Sequence, residues 1–238
     1  MAKERLDKLI ASTGRWSRRE VKTLVREGRV LVDGRIAGSA EEKYDAESCR
    51  IAVNGEELLL RRHTYVMLHK PAGVLSATED GRGRTVLDLL TPELRKIGVF
   101  PVGRLDKDTE GLLLLTDDGE LAHALLSPKK HVDKVYYARV SGRLTPEDCA
   151  AFEAGMTLGD GLECLPAGLE ILAAGETSEC LVTLREGKFH QVKRMLAARG
   201  KPVTYLKRLS MGSLRLDDTL VPGEFRLLTA AEEAQLQR

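Results

Sequence analysis

The chain has 238 residues, 42% of them hydrophobic and 31% charged, which is enough apolar material for a globular core. Its four cysteines are scattered and form no C-x-x-C pair, which argues against a zinc site and a disulfide framework. The N-terminal sequence lacks the apolar run of a signal peptide, and no stretch is long and apolar enough to span a membrane. We therefore expect a cytoplasmic protein with reduced thiols and no membrane partner.

Basic residues are concentrated in two segments, although the net charge is only +1. Residues 1–38 hold ten Lys and Arg against five Asp and Glu, and residues 185–215 hold nine against one. Two basic segments on a nearly neutral chain favour two surfaces that bind a polyanion. A merely solvated surface fits the charge equally well, so the motifs must decide.

The chain begins with two predicted helices and a hairpin. The stretch "RLDKLIAS" has apolar residues at helical spacing. In "SRREVKTLVREG", Ser17 and Glu20 form a capping box and Gly28 is a good C-terminal stop. "RVLVDGRIA" is typical of two short strands joined by a turn at Asp33-Gly34.

This small unit resembles the S4-type RNA-binding domain over "RLDKLI", "SRREVKTLVREGRVLVDG" and the later "NGEEL". The resemblance covers roughly the first 57 residues. An amphipathic two-helix cap with a polar outer face is the alternative. If the unit binds RNA, basic side chains on its helices are expected to contact phosphates, namely Arg5, Arg18, Arg19, Lys22 and Arg26.

The junction "LLLRRHT" predicts an RNA-binding domain at residues 1–58, a linker at 59–64 and a second domain at 65–238. Strand and helix signals alternate in the second domain without regular crossover helices. This pattern favours an α+β fold with a mixed, mostly antiparallel sheet flanked by helices. The predicted strands are "YVMLHK", "VFPVG", "GLLLLT", "KVYYARVSG", "ECLVTLREG" and the end of "KPVTYLKRLSMGSLRL", and the predicted helices are "TVLDLL", "GELAHALLS", "TPEDCAAFEAG" and "FHQVKRMLAARG".

Five acidic residues bracket four leucines in "VGRLDKDTEGLLLLTDDG", residues 102–119. A calcium loop fits in part, but Leu114 stands where a ligand or its water is needed, and the apolar run is typical of a strand. A D-x-D-x-T phosphatase loop fails because Glu110 takes the place of the threonine. A structural loop with capping acids and a catalytic loop remain.

The catalytic interpretation comes from a resemblance to pseudouridine synthases, and more narrowly to the RsuA family, which modifies small-subunit ribosomal RNA. It is carried, in chain order, by "YVMLHKPAGVLSA", "GRLDKDTEGLLLLTDDG", "SPKKHVDKVYYARVSG", "LREGKFHQVKRMLAARG" and "PGEFRLLT". The resemblance implies that Asp106 is the essential carboxylate and that no cofactor or metal is required. The leucines would form a buried strand that holds Asp106 in place.

The resemblance also implies which residues surround Asp106. Lys193 is its counter-ion, at a position where many related synthases carry arginine. Arg104 fills the gap left when the uridine is flipped out of the RNA, and Tyr136 stacks on the uracil. Strand periodicity puts Tyr136 and Tyr137 on opposite faces, so only one of them can face the site.

Further residues are assigned by the same motifs. Leu184 is expected to line the base pocket. RNA contacts are expected from Lys70, Arg194 and Arg208. The remaining acids of residues 102–119 are expected to be turn and cap residues, namely Asp108, Glu110, Asp117 and Asp118.

The implied function is isomerisation of a specific uridine to pseudouridine in ribosomal RNA, and more narrowly in the RNA of the small subunit. The expected partner is ribosomal RNA or an assembling subunit, and a monomer is expected. Two alternatives stay open. One is a related synthase that acts on large-subunit RNA or tRNA, and the other is a catalytically silent RNA-binding or ribosome assembly factor.

Overall fold

The structure is a computed structural model that describes residues 3–46, 48–127 and 130–236. The chain forms two compact units, the first from Met1–Thr64 with Leu90–Val99 and the second from Tyr65–Leu89 with Phe100–Arg238. No helix within the described ranges has both the length and the apolar character that a membrane crossing requires. Pro128 and Lys129, part of the "SPKKHVDK" motif, lie outside the described residues.

The first unit begins with the two predicted helices and the predicted hairpin. The Ser17 hydroxyl accepts a hydrogen bond from the Glu20 N–H at 3.3 Å, and the Glu20 carboxylate accepts one from the Ser17 N–H at 2.6 Å, which completes the capping box. Asp33 and Gly34 have φ of 49° and 76°, as a two-residue type I′ turn requires. The elements of this unit are α1 (Leu6–Ala11), α2 (Arg18–Arg26), α3 (Pro92–Ile97), β1 (Glu4–Arg5), β2 (Val30–Val32), β3 (Arg35–Ile36), β4 (Lys43–Tyr44), β5 (Ile51–Val53) and β6 (Glu56–Leu58).

An antiparallel sheet in the order β3-β2-β5-β6 carries the apolar side of the first unit, and β1 pairs with β4. The sequence analysis did not predict helix α3 or its place in this unit. Gly14 shows how closely the α3 segment approaches. Its φ is 74°, and a Cβ there would lie 2.3 Å from the Glu93 carbonyl oxygen. Only glycine permits this approach.

The second unit is built on one large sheet in the order β13-β14-β10-β15-β9-β7-β17, with β8 paired to β9 and β16 to β15. Among the pairs described, β9 with β15 is parallel and the rest of this sheet is antiparallel. The predicted α+β fold with a mixed, mostly antiparallel sheet is therefore confirmed. The strands are β7 (Tyr65–Lys70), β8 (Phe100–Pro101), β9 (Glu110–Thr116), β10 (Lys134–Ser141), β11 (Met156–Thr157), β12 (Glu163–Cys164), β13 (Gly168–Ala173), β14 (Thr177–Leu184), β15 (Val203–Met211), β16 (Leu214–Arg215) and β17 (Phe225–Leu227).

Helices flank this sheet, and they are α4 (Gly119–Leu126), α5 (Pro146–Ala154), α6 (Gln191–Ala198) and α7 (Ala230–Leu236). The predicted helix "TVLDLL" is a 3₁₀ turn at Val86–Leu89. The Asp88 carboxylate accepts hydrogen bonds from the Thr85 N–H and hydroxyl, at 2.7 and 3.1 Å, and this tightens the turn at its start. Strands β13 and β17 and helix α7 were not predicted from the sequence.

The leucine run forms the centre of the sheet. Strand β9 lies between β7 and β15, and Leu112, Leu113, Leu114 and Leu115 are all fully buried. Leu112 and Leu114 join one apolar cluster with Met67 of β7, while the alternate leucines face the other side of the sheet. The prediction of a strand buried on both faces is confirmed.

Candidate active site

Asp106 lies on the loop of residues 102–109 between β8 and β9, called here the Asp106 loop. Lys70, a fully buried residue at the end of β7, holds this loop in place through its ammonium group. Its Nζ donates hydrogen bonds to four carbonyl oxygens at 2.9 to 3.2 Å, those of Pro71, Asp106, Lys107 and Thr109. The prediction that Lys70 contacts a phosphate is wrong, because its side chain has no exposed surface.

Burial has an electrostatic consequence for Lys70. Removal from water lowers its pKa to about 8, although the nearby carboxylates of Asp108, Asp106 and Glu110 oppose the shift. The residue is therefore mostly charged at neutral pH. As a cation it has three N–H donors for the four carbonyl oxygens, and as a neutral amine it would have two.

Ser76 holds the other side of the Asp106 loop. Its hydroxyl donates to the Leu105 carbonyl at 2.9 Å and accepts from the Leu105 N–H at 3.1 Å. Both residues are buried. The sequence analysis missed Ser76, although it belongs to the quoted "YVMLHKPAGVLSA" motif. Lys70 and Ser76 together fix the backbone on both sides of the Asp106 carboxylate.

The Asp106 carboxylate contacts two side chains from the start of α6. The Lys193 Nζ lies 2.9 Å from Asp106 Oδ2, and the His190 Nε2 lies 3.5 Å from Asp106 Oδ1. The Asp106 side chain is 25% exposed, so it is sheltered but reachable. His190 is the N-cap of α6 in the left-handed conformation, with φ of 50°. The sequence analysis quoted this histidine within "HQVKRM" but assigned it no role.

Lys193 bridges two carboxylates, because its Nζ also lies 2.5 Å from Asp108 Oδ1. Burial lowers the pKa of Lys193, but its hydrogen bonds to Asp108 and Asp106 outweigh that effect and leave the pKa above its usual value. The hydrogen bond from Lys193 lowers the pKa of Asp108. Lys193 is therefore a permanent cation beside Asp106 at physiological pH.

An open cavity lies beside this ion pair. Arg104, Tyr136 and Leu184 line it together with Asp106 and Lys193. Arg104 is exposed and has no hydrogen-bond or ion-pair partner among the described residues. Thr109 also lines the cavity, and its hydroxyl is a buried group with no hydrogen-bond partner in the part of the chain described.

Strand β10 directs Tyr136 and Tyr137 to opposite faces of the sheet. Tyr136 is 9% exposed and lines the cavity. The Tyr137 ring makes an edge contact with the Tyr205 ring, with centroids 6.0 Å apart. The Tyr205 hydroxyl in turn donates to the Glu110 carboxylate at 2.8 Å. Glu110 is therefore engaged with β15 and is not a ligand group of the cavity.

The remaining acids of residues 102–119 have local structural roles. Asp108 lies in a turn and shares Lys193. Asp117 lies in a bend. Asp118 caps α4, where its carboxylate accepts from the Leu121 N–H at 3.0 Å. The five acids do not converge on one point, and the described residues contain no group of three or more His, Cys, Asp or Glu side chains that could hold a metal ion.

Arg208 does not occupy a phosphate-binding position. It is 2% exposed, and its Nε donates to the Leu112 carbonyl at 2.8 Å. It lies opposite Tyr136 in the register of β10 and β15. The prediction that Arg208 contacts a phosphate is wrong, because the guanidinium is enclosed within the sheet unit. Arg194 forms an ion pair with Asp160 at 2.5 Å and is partly exposed, so its predicted RNA contact stays a prediction.

The basic residues of the first unit fall into two groups. Arg5 and Arg18 each form an ion pair with Asp7, at 2.9 and 3.0 Å, and Asp7 is 1% exposed. Burial raises the pKa of Asp7, but the hydrogen bonds from the two arginines outweigh it and leave the pKa lowered. Arg5 and Arg18 therefore stabilise a buried carboxylate that the sequence analysis overlooked. The other group consists of exposed side chains spaced along α2, namely Arg19, Lys22 and Arg26, of which Lys22 forms an ion pair with Glu41 at 3.1 Å.

Comparison with known families identifies the class of protein. Residues 64–198 match the model of the RNA pseudouridylate synthase family, and residues 4–48 match that of the S4 domain. The chain therefore belongs to the RNA pseudouridine synthases, isomerases that act on uridine in RNA. Within that family it is of the RsuA type, which carries an S4 domain before the catalytic domain.

Its relatives share nearly the full length of the chain. An uncharacterised RNA pseudouridine synthase of Bacillus subtilis, YtzG, is 50% identical over 96% of both chains. The ribosomal small subunit pseudouridine synthase A of Vibrio cholerae is 40% identical, over 98% of this chain and 99% of that one. The ribosomal large subunit pseudouridine synthase B of B. subtilis is 39% identical, over 98% and 96%. A crystal structure of a pseudouridylate synthase superposes with a TM-score of 0.68 at 35% identity, covering 98% of this chain and 99% of that one.

Proposed function

We propose that this enzyme converts a uridine of small-subunit ribosomal RNA to pseudouridine, with Asp106 as the essential carboxylate. The placement of Asp106 carries the proposal. Its loop is fixed from below by Lys70, its carboxylate lies 2.9 Å from the Lys193 ammonium, and the neighbouring cavity is walled by Tyr136. A fixed, paired and partly sheltered carboxylate is suited to chemistry at the anomeric carbon of a ribose.

The reaction rearranges bonds within one nucleotide. The bond between C1′ and N1 breaks, the uracil rotates, and a bond between C1′ and C5 forms. The proton on C5 is lost and N1 gains one, so the product is an isomer of the substrate. A carboxylate can assist these steps either by attacking C1′ or by taking a proton from the ribose. Both roles need a carboxylate with an open approach to the ribose, and the Asp106 carboxylate is 25% exposed beside the Lys193 ammonium.

The cavity has the features that a flipped uracil needs. Tyr136 offers a ring for stacking, and Leu184 offers an apolar wall. Arg104, exposed at the rim, is suited to take the space that the uridine leaves in the RNA. These roles would place the base beside Asp106 with its ribose toward the carboxylate.

The choice of small-subunit RNA follows the relatives. A synthase named for the small subunit is 40% identical over almost the whole chain, with both domains in common. The exposed basic face of α2 supplies the charge for phosphate contacts in such an RNA. We place the activity in the cytoplasm, on ribosomal RNA or an assembling subunit. Large-subunit RNA is the second candidate, because a large-subunit synthase is 39% identical over a similar length.

Mapping of pseudouridines in cells tests this assignment. A strain that lacks the gene is complemented with the wild type, with Asp106→Asn, or with Asp218→Asn, a matched change at an exposed aspartate outside the cavity. Carbodiimide treatment and primer extension then locate pseudouridines in 16S and 23S RNA. We expect one 16S site to disappear on deletion, to return with the wild type and Asp218→Asn, and to stay absent with Asp106→Asn. Loss of a 23S site alone would overturn the small-subunit assignment. Restoration by Asp106→Asn would overturn the role of Asp106.

A further inference from the structure

An exposed aromatic pair lies at the entrance of the cavity. The Phe189 side chain is 73% exposed, so it contributes little to the core. Its ring stacks on that of His190, with centroids 3.8 Å apart and an interplanar angle of 18°. One face of the phenyl ring is therefore covered by the imidazole, and the other face is open to solvent.

The pair is fixed relative to the reactive carboxylate. His190 lines the cavity, and its Nε2 lies 3.5 Å from Asp106 Oδ1. Its left-handed backbone, with φ of 50°, sets the direction of the ring at the start of α6. The Phe189 ring thus contacts the His190 ring, and His190 in turn contacts Asp106. The nucleotides on either side of a target held beside Asp106 are therefore the ones nearest to this ring.

The surroundings favour a nucleic acid over an apolar partner. The lining of the cavity beside the pair includes three cationic side chains, Lys188, Lys193 and Arg104, of which Lys188 and Lys193 are paired with carboxylates. An open aromatic face beside cations is the combination that binds single-stranded nucleotides by stacking and charge together. Extrusion of a uridine also leaves its neighbours without a stacking partner, which an aromatic side chain can replace.

We propose that the Phe189–His190 pair is a stacking platform for a nucleotide that flanks the target uridine. The inference rests on the proposed function, since it assumes that the target nucleotide enters beside Asp106. Tyr136 receives the target base, and the open face of Phe189 receives the base of a neighbour. The platform holds the strand in register while the uridine is out of the helix.

The test pairs protein variants with altered RNA. Phe189→Ala and Phe189→Leu remove the ring, Phe189→Trp retains an aromatic face, and Leu172→Ala is a control at another exposed apolar side chain, in β13. Their Kd values are measured by fluorescence anisotropy on a 16S stem–loop that holds the mapped uridine, and on versions in which either flanking nucleotide is abasic. Tritium release from [5-³H]uracil RNA reports wild-type activity in parallel.

We expect Phe189→Ala and Phe189→Leu to weaken binding by about 5- to 150-fold, the equivalent of about 1–3 kcal/mol for one stacked base. Phe189→Trp and Leu172→Ala should bind like the wild type. The wild type should bind one of the two abasic RNAs more weakly than the intact RNA, by the same factor. Phe189→Ala should bind that abasic RNA with the same Kd as the wild type does.

Equal binding by all variants would overturn the platform. The platform would also be overturned if Phe189→Ala and the abasic substitution each weakened binding independently, so that their factors multiplied. If the wild type releases tritium in that case, the proposed function stands without it. Ring-dependent binding without tritium release would show that Phe189 binds RNA, but it would overturn the proposed function and, with it, a platform for a nucleotide that flanks a target uridine. A wild type that does not bind the RNA would overturn both.

Discussion

The ammonium group of Lys193 lies between the carboxylates of Asp106 and Asp108, at 2.9 and 2.5 Å. A lysine supplies a point charge, so both acids can share it without the fixed geometry of a guanidinium fork. The exposed Asp108 takes part of the charge, and Asp106 keeps the contact that faces the cavity. A single lysine can therefore serve both carboxylates at this position.

Loss of this charge should affect turnover far more than RNA binding. We expect Lys193→Ala to lower kcat about 10- to 150-fold, the equivalent of a charged hydrogen bond of about 1.5–3 kcal/mol. Lys193→Arg should recover part of the rate. Single-turnover tritium release and anisotropy on the same RNA separate the two effects, with Lys207→Ala on β15 as the control. Wild-type turnover in Lys193→Ala would remove the residue from the site.

Lys70 should give the enzyme an alkaline limit. Its pKa of about 8 lies below the usual 10.5, so Lys70 loses its proton at a lower pH in the folded protein than in the unfolded chain. The neutral amine has too few N–H donors for four carbonyls, and we expect kcat to fall as pH rises through about 8.

The stability of the fold should change in the opposite sense. Between pH 8 and 10.5 the unfolded chain binds more protons than the folded one at this residue, so its contribution to stability rises with pH. Relative to Lys70→Met, the wild type should gain about 1–3 kcal/mol of unfolding free energy over that range. Urea titrations of both proteins at several pH values measure this gain. A constant difference would contradict a depressed pKa for Lys70.

At the scale of elements, β9 and β15 meet at one glycine. Gly111 has φ of 105°, and a Cβ there would lie 2.2 Å from the Arg208 carbonyl oxygen. This contact is the parallel pairing that joins the two halves of the sheet directly beneath the Asp106 loop. Strand β9, which follows the Asp106 loop, is therefore tied to β15, the strand beside Tyr136, through backbone that tolerates no side chain.

Gly111→Ala should consequently destabilise the protein. We expect a loss of about 2–4 kcal/mol, because both the positive φ and the backbone overlap oppose a Cβ. Gly159→Ala is the matched control, since no atom lies within 4 Å of its added Cβ. Urea denaturation of the two variants gives the comparison. Equal stabilities would show that β9 and β15 can separate without cost.

Local sequence signals predicted the elements that depend on local physics. The Ser17–Glu20 capping box, the Asp33-Gly34 turn and the leucine strand are each specified within a few residues, and the structure has all three. Helix α3 has a local pattern that was missed, with Thr91 as its N-cap, proline at its first position and Gly98 at its end. Strand β17 is only three residues long and has no strong local pattern.

The same limit applies to the site. Motifs identified Asp106, Lys193 and Tyr136, which the structure places around one cavity. They could not reveal that Lys70 and Arg208 are buried, because the burial of a charged side chain depends on which distant backbone covers it. Both residues were interpreted as surface cations for that reason.

At the scale of the whole molecule, the C-terminal segment 225–236, called here the strap, supplies an edge strand of the large sheet. Strand β17 pairs with β7, the strand that ends at Lys70, and α7 packs Leu236 into the core beside β9. Arg226 fastens the strap, with ion pairs to Asp217 at 2.6 Å and Glu232 at 2.8 Å. The end of the chain thus supports the strand that fixes the Asp106 loop.

This strap should loosen in acid. The hydrogen bonds from Arg226 lower the pKa of Glu232 to about 2, from 4.5, despite its partial burial. Its contribution is present above pH 4.5 and is lost as pH falls toward 2. We expect Glu232→Gln to lose about 1–3 kcal/mol at pH 7 and to differ less from the wild type near pH 2. Tm against pH measures this, with Glu153→Gln on α5 as the control. A difference that does not shrink in acid would contradict the ion pair.

We propose that Asp106 performs the isomerisation. Tritium release from [5-³H]uracil 16S RNA, under single-turnover conditions with saturating enzyme, tests it most directly. We predict stoichiometric release by the wild type and Asp218→Asn, and no release by Asp106→Asn although that variant still binds the RNA. Release by Asp106→Asn at the wild-type rate would contradict the account.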